Sequence, residues 1–427
     1  MNLTSFLKRC LVLLACTGFL SLTLPKVQAA EAKAETALST ASSHEGAVSG
    51  HEAADETVEP TLAAQFGYSY LTAYMFCLSL CVGALFYLLI HYLFDAAWSV
   101  PMLRIAENMA CLFYPWMLVL LLPILVLQKS IYPWLSIDPN LDHALHVKRI
   151  LFNPYSFNIL LAVIFLFWGW MAHSFRRFSL NQDKDGKAIW TQKARFLAAW
   201  GIYAFAVTLT LACFLLMKSL MHQFFSTMYG VYYFAGSFWV TLATIYAVAR
   251  WLQTRELKGI IGKRHVHDSG VLFFAFTVFY AYIHFSQYFL IWNASIPEET
   301  FWYVKREQGS WWDVGLLILF GHFFVPFLLL LRIDAKQSLL VMGPIVIWAW
   351  LMHYVDMTFN VMPVLYPKGL HVTLFDPICW LGMSALLATF WWKSFRAHPA
   401  FPLRHPRLKE ALTHHEVPEP GAAPAAH

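Results

Sequence analysis

The sequence predicts an all-α polytopic membrane protein, and three observations carry that expectation. Of 427 residues 59% are hydrophobic, only 13% are charged, and the apolar residues fall in long uninterrupted runs. The charged share is about half that of an average soluble domain. A soluble chain of this length needs far more polar surface, and a disordered one far fewer apolar residues. Gly and Pro, at 20 each, exclude collagen-like classes, and a net charge of +5 gives nucleic-acid binding no support.

A bilayer core of about 30 Å requires about 20 apolar residues in a helix. Nine runs meet this length, at approximately 68–92, 103–128, 155–175, 195–217, 229–252, 270–293, 311–332, 338–359 and 373–393. Residues 10–24, after Lys8 and Arg9, have the charged start and short apolar core of a secretory signal, with Val27-Gln28-Ala29 as a cleavage site. The same run can remain as an anchor, giving about ten transmembrane helices. The expected organisation is an anchor or signal-like segment over 1–30, a disordered periplasmic tether rich in Ala, Glu, Ser and Thr over 31–65, a nine-helix membrane domain over 66–395 and a cytoplasmic tail over 396–427. With the tether outside, 21 of the 30 Lys and Arg fall on the inner loops and nine on the outer, which sets the orientation by the positive-inside rule. Trp302, Tyr303, Trp311 and Trp312 read as interfacial anchors. Extramembrane stretches are too short for a separately folded catalytic head.

The seven cysteines form no CxxC, CxxCH or cluster-binding run. Thiolate-held metal is therefore not expected, and the sequence suggests no other metal site. Cys77 and Cys81, one turn apart, read as core packing.

Ionisable groups inside a bilayer are costly unless paired or hydrated, so each is a functional candidate. Glu107 near the inner end of the second span is a candidate for proton loading, sharing a face with Cys111 and Tyr114 at i, i+4, i+7. Asp268, after His265 and His267, fits a helix N-terminus, where capping alone explains it. His284, Gln287 and Tyr288 make a polar stripe at i, i+3, i+4 in the sixth span, and His322 stands four residues before Pro326 in the seventh. His353 and Asp356 follow in the eighth at i, i+3, with Asn360 on the same face. Proton transfer is thus expected of Glu107, Asp268, His284, His322, His353 and Asp356, and quinone contact of Gln287, Tyr288, His353 and Asp356. At about 1.5 Å rise per residue, His284 and His322 lie deeper from the outer boundary than His353 and Asp356. That offset argues against a bis-histidine haem b. A proton-coupled solute transporter and a purely structural scaffold for redox subunits are the competing readings; no internal repeat supports the transporter.

From the sixth span to the eighth the sequence becomes recognisable. It reads His265-x-His267-Asp268, Phe285-Ser286-Gln287-Tyr288-Phe289-Leu290-Ile291-Trp292, Ile296-Pro297-Glu298-Glu299, His322-Phe323-Phe324-Val325-Pro326, then His353-Tyr354-Val355-Asp356 with Met362-Pro363. This resembles the F subunit (ActF type) of alternative complex III, the bacterial quinol-oxidising complex, and the likeness extends to Arg176-Arg177-Phe178-Ser179. The family commonly carries Asn where His322 stands. The resemblance implies an NrfD-type, polysulfide-reductase-like fold of two four-helix bundles plus peripheral helices, with no haem or cluster of its own and none bound covalently. It implies quinol or menaquinol as the reductant. Its implied partners are a homologous NrfD-like membrane subunit, a periplasmic iron-sulfur subunit and multihaem cytochrome c subunits. In that family the sister subunit carries the better supported quinol site, and the F subunit is assigned quinone binding and a proton path. Asp268, Gln287, His353 and Asp356 are the positions that the resemblance itself carries over.

Overall fold

A computed structural model describes residues 60–413, and among these the only regular elements are helices. The expected anchor at 10–24, the tether up to residue 59 and the end of the tail lie outside the described residues. Nine long helices follow one another: α1 Leu62–Phe94, α2 Val100–Val126, α3 Pro154–Asp185, α4 Ile189–Leu216, α5 Tyr229–Gln253, α6 Lys263–Ala294, α7 Ser310–Leu330, α8 Leu339–Val364 and α9 Phe375–Arg396. The first eight are long and apolar enough to cross a membrane. The ninth expected span forms its helix, but Asp376, Trp380, Trp391, Trp392 and Lys393 leave it less apolar than the others.

Local chemistry sets the boundaries. Thr61 caps α1 by accepting from the Ala64 amide at 3.3 Å, and Asn153 caps α3 by accepting from Ser156, with Pro154 in the first turn. Gly186, at φ +70, ends α3 in the left-handed conformation that glycine adopts without penalty. The shared face expected of Glu107, Cys111 and Tyr114 does not form. Residues 111–113 tighten to a 3₁₀ turn and Tyr114 is extended, because the following Pro115 disfavours helical geometry at the residue before it.

The helices pack as two groups of four. In the first, α1, α2, α3 and α4 contact each other in a closed ring; in the second, α5, α6, α7 and α8 do the same. α1 joins the groups by packing along α5, and α9 lies along the other side of α1. α1 is apolar on every side, so burial among α2, α4, α5, α8 and α9 satisfies it. A Cβ at Gly83 would lie 2.1 Å from Thr241 Oγ1, so glycine there permits the close approach of α1 and α5.

Candidate functional site

The second group of helices encloses a polar cluster about midway along α1. In α7, Pro326 has no amide to donate to the carbonyl one turn earlier, and the helix widens to a π-helical segment over Leu319–Phe324. The indole of Trp348 donates to the carbonyl of Gly321 at 2.8 Å. The widened turn holds the ring of His322 between Trp239, 3.8 Å away between ring centres, and Tyr280, 3.7 Å away. From α8, His353 brings its ring to 6.4 Å from that of His322. His322, His353 and Asp356 each offer one ligand-type atom within 4.8 Å of the others, and all three side chains are fully buried.

Hydrogen bonds orient two of the three. Ser79 of α1 donates its hydroxyl to Met75 O, leaving its oxygen to accept from His353 Nε2 at 2.9 Å. The proton of His353 therefore sits on Nε2, and Nδ1 carries a free lone pair. Gly236 makes room for this ring, since a Cβ there would meet His353 Cε1 at 3.0 Å. Asp356 Oδ1 accepts from the Tyr232 hydroxyl, which in turn accepts from Asn360 Nδ2 at 3.0 Å and from Tyr280 at 3.4 Å. Tyr229 completes the chain by donating to Asn360 Oδ1 at 2.9 Å. Four polar atoms remain without a partner: Asp356 Oδ2, His353 Nδ1 and both nitrogens of His322.

On the other side of Tyr280 lies a cavity of about 480 Å³ between α6, α7 and the link joining them. Its walls are aromatic and aliphatic, with Tyr280, His284, Tyr288, Tyr303, Arg306 and Glu307 as the polar groups. Arg306 is almost fully buried, stacked 3.5 Å over Trp302, and donates to the carbonyls of Trp302, Phe359 and Asn360 at 2.9–3.0 Å. Those carbonyls include the C-terminal end of α8, where a cation suits the helix dipole. Burial pulls the guanidinium down to about 9, and it stays charged at neutral pH. Beside it, burial holds the Glu307 carboxyl above its ordinary range.

The sequence-predicted residues thus divide. His322, His353 and Asp356 come together; His284 and Tyr288 line the adjacent cavity. Gln287 is buried beside it with Oε1 unpartnered. The depth offset expected between His322 and His353 closes, because α8 and its 3₁₀ extension run to Val364 and carry His353 deeper.

Two candidates lie elsewhere. Glu107 is buried at the Phe94 end of the molecule, paired with Arg104 at 2.8 Å; Arg104 also binds Asp183 at 2.5 Å. Asp268 does not cap α6, which starts at Lys263 with Gly262 as its N-cap. It sits in the second turn, 3.2 Å from His267 Nδ1. Tyr232, Trp239, Tyr280, Arg306 and Glu307 were not predicted. Tyr280 was within reach, one turn before His284 on the same stripe; nothing in the charged run Lys305-Arg306-Glu307 set Arg306 apart. No protein-family model matches the chain, and no curated protein is significantly similar to it.

Proposed function

We propose that the chain is the integral-membrane subunit of a respiratory quinol:electron-acceptor oxidoreductase of the alternative complex III type, contacting quinol in the α6–α7 cavity. The observation that carries this reading is the cavity itself: flat aromatic walls suited to a ring, reached from apolar surface, with two groups able to take protons and one fixed cation. Quinol hydroxyls hydrogen-bond to His284 and Glu307, and Arg306 stabilises negative charge developing on the ring oxygens. Oxidation of the quinol releases two protons and two electrons. His284 and the Glu307 carboxylate accept the protons; the electrons leave through iron-sulfur and multihaem cytochrome c partners, beside a homologous NrfD-like membrane subunit. The setting is the bacterial inner membrane, with the N-terminal tether periplasmic and the C-terminus cytoplasmic, as the distribution of Lys and Arg favours.

Photolabelling of the assembled complex with an azido-quinone tests the reading. Labelled peptides from α6 and α7, lost in the Tyr280→Trp variant that fills the cavity, are expected. Labelling confined to partner subunits overturns it. A chain that purifies alone and moves a solute with protons would establish the transporter reading instead.

A further inference from the structure

We infer that His322, His353 and Asp356 form a binding site for a divalent transition-metal ion of the zinc class, tying α7 to α8. Three facts of geometry converge. One donor atom from each residue lies within 4.8 Å of the others, in a place no solvent reaches. Each of the three residues keeps a donor atom without a hydrogen bond, namely Asp356 Oδ2, His353 Nδ1 and both nitrogens of His322, although buried polar atoms are nearly always satisfied. The two α8 ligands stand at i, i+3, the spacing by which a bundle helix presents two ligands inward.

The surrounding groups have the form of a ligand support. His353 donates its other ring N–H to Ser79, which fixes the tautomer with Nδ1 free to bind. Asp356 is held at Oδ1 by Tyr232, leaving Oδ2 for the ion. His322 has no hydrogen bond to orient it; the faces of Trp239 and Tyr280 do so instead, and they attract the positive charge that a metal places on the ring. Two imidazole nitrogens and one carboxylate oxygen suit zinc or a neighbouring first-row ion, with a fourth position for water. Tetrahedral donors stand about 3.3 Å apart at zinc bond lengths, so binding draws the three side chains inward. The site does not depend on the quinone reading, since Tyr280 separates it from the cavity.

The test measures metal in the full-length chain extracted from membranes and purified without chelators. About one Zn²⁺ per chain is expected, falling to background in His322→Ala and Asp356→Asn and retained in Glu107→Gln. Cobalt substitution should give the visible bands of a tetrahedral site, and X-ray absorption should show imidazole nitrogen and oxygen without sulfur. Wild-type chain that stays metal-free on titration with Zn²⁺, metal retained by both variants, or sulfur ligation from the buried cysteines would each overturn the site. If the variants do not accumulate, titration and X-ray absorption of the wild-type chain decide by themselves.

Discussion

Among the described residues, two carboxylates, Glu107 and Asp356, are wholly shut off from solvent, and the molecule treats them differently. Glu107, between α2 and α3, faces the guanidinium of Arg104, which also binds Asp183; Asn108 and Arg176 extend the network. Asp356, among α5 to α8, has only neutral hydroxyl and amide donors on one oxygen, and nothing on the other. A charge compensated by a fixed cation needs no further occupant, even though Glu107 Oε1 accepts no hydrogen bond. A buried carboxylate with no cation, flanked by imidazole nitrogens that lack partners, is incomplete, and that difference separates a structural network from a site that takes an occupant.

The comparison is broken most directly by removing the cation. Arg104→Ala strands Glu107 and Asp183 and should cost about 3–5 kcal/mol, read as thermal denaturation in detergent. Asp356→Asn in chelator-treated protein should cost little or even stabilise, since it removes an uncompensated group. Equal losses in the two variants would erase the distinction drawn here.

Next in size is the cavity. Glu307→Gln should slow quinol oxidation by the assembled complex about 10²-fold. Only the ionised carboxylate accepts a proton, and burial holds its pKa above the ordinary range. Turnover in the wild type should therefore rise with pH through that raised value, and the variant should lose the rise. An unchanged pH profile removes Glu307 from the reaction.

Ser79→Ala sharpens the metal assignment without touching a ligand. Losing the acceptor of His353 Nε2 should weaken Zn²⁺ binding about 10-fold to 100-fold, with metal-free stability little changed; undiminished affinity would show that Ser79 does not orient the ring.

The smallest effect belongs to a mostly buried pair in the loops. His222 Nε2 lies 2.7 Å from Asp142 Oδ2 and lowers its carboxyl. His222→Ala should cost about 0.5–1 kcal/mol. Because the folded carboxyl is lowered, this stabilisation is present above the ordinary carboxylate range and is lost as pH falls through the lowered value. A difference between wild type and variant that grows in acid would contradict the pairing.

How far the site was legible depends on where each residue's evidence lies. His353, Asp356 and Asn360 announce themselves, because their spacing on one helix is visible along the chain. His322 is visible as a polar residue before a proline. That it meets His353 is not, since this depends on the π segment and on the true end of α8. Glu107 looked like a proton loader although Arg104 stands three positions before it; that the two side chains meet, and that Asp183 joins them from α3, shows only in the fold. Arg306 was invisible for the same reason: the carbonyls that hold it belong to α8.

By itself, then, the chain's order of residues determined the helical membrane class, the positions of the spans and the short roster of buried ionisable groups. Local periodicity and the cost of polar groups in hydrocarbon are properties of neighbours along the chain. Tertiary structure alone decided which of those groups are compensated and which are left facing one another. Compensation is a matter of contacts between distant helices, set by rotation, π widening and glycine-permitted approach, none of which is encoded within a single span.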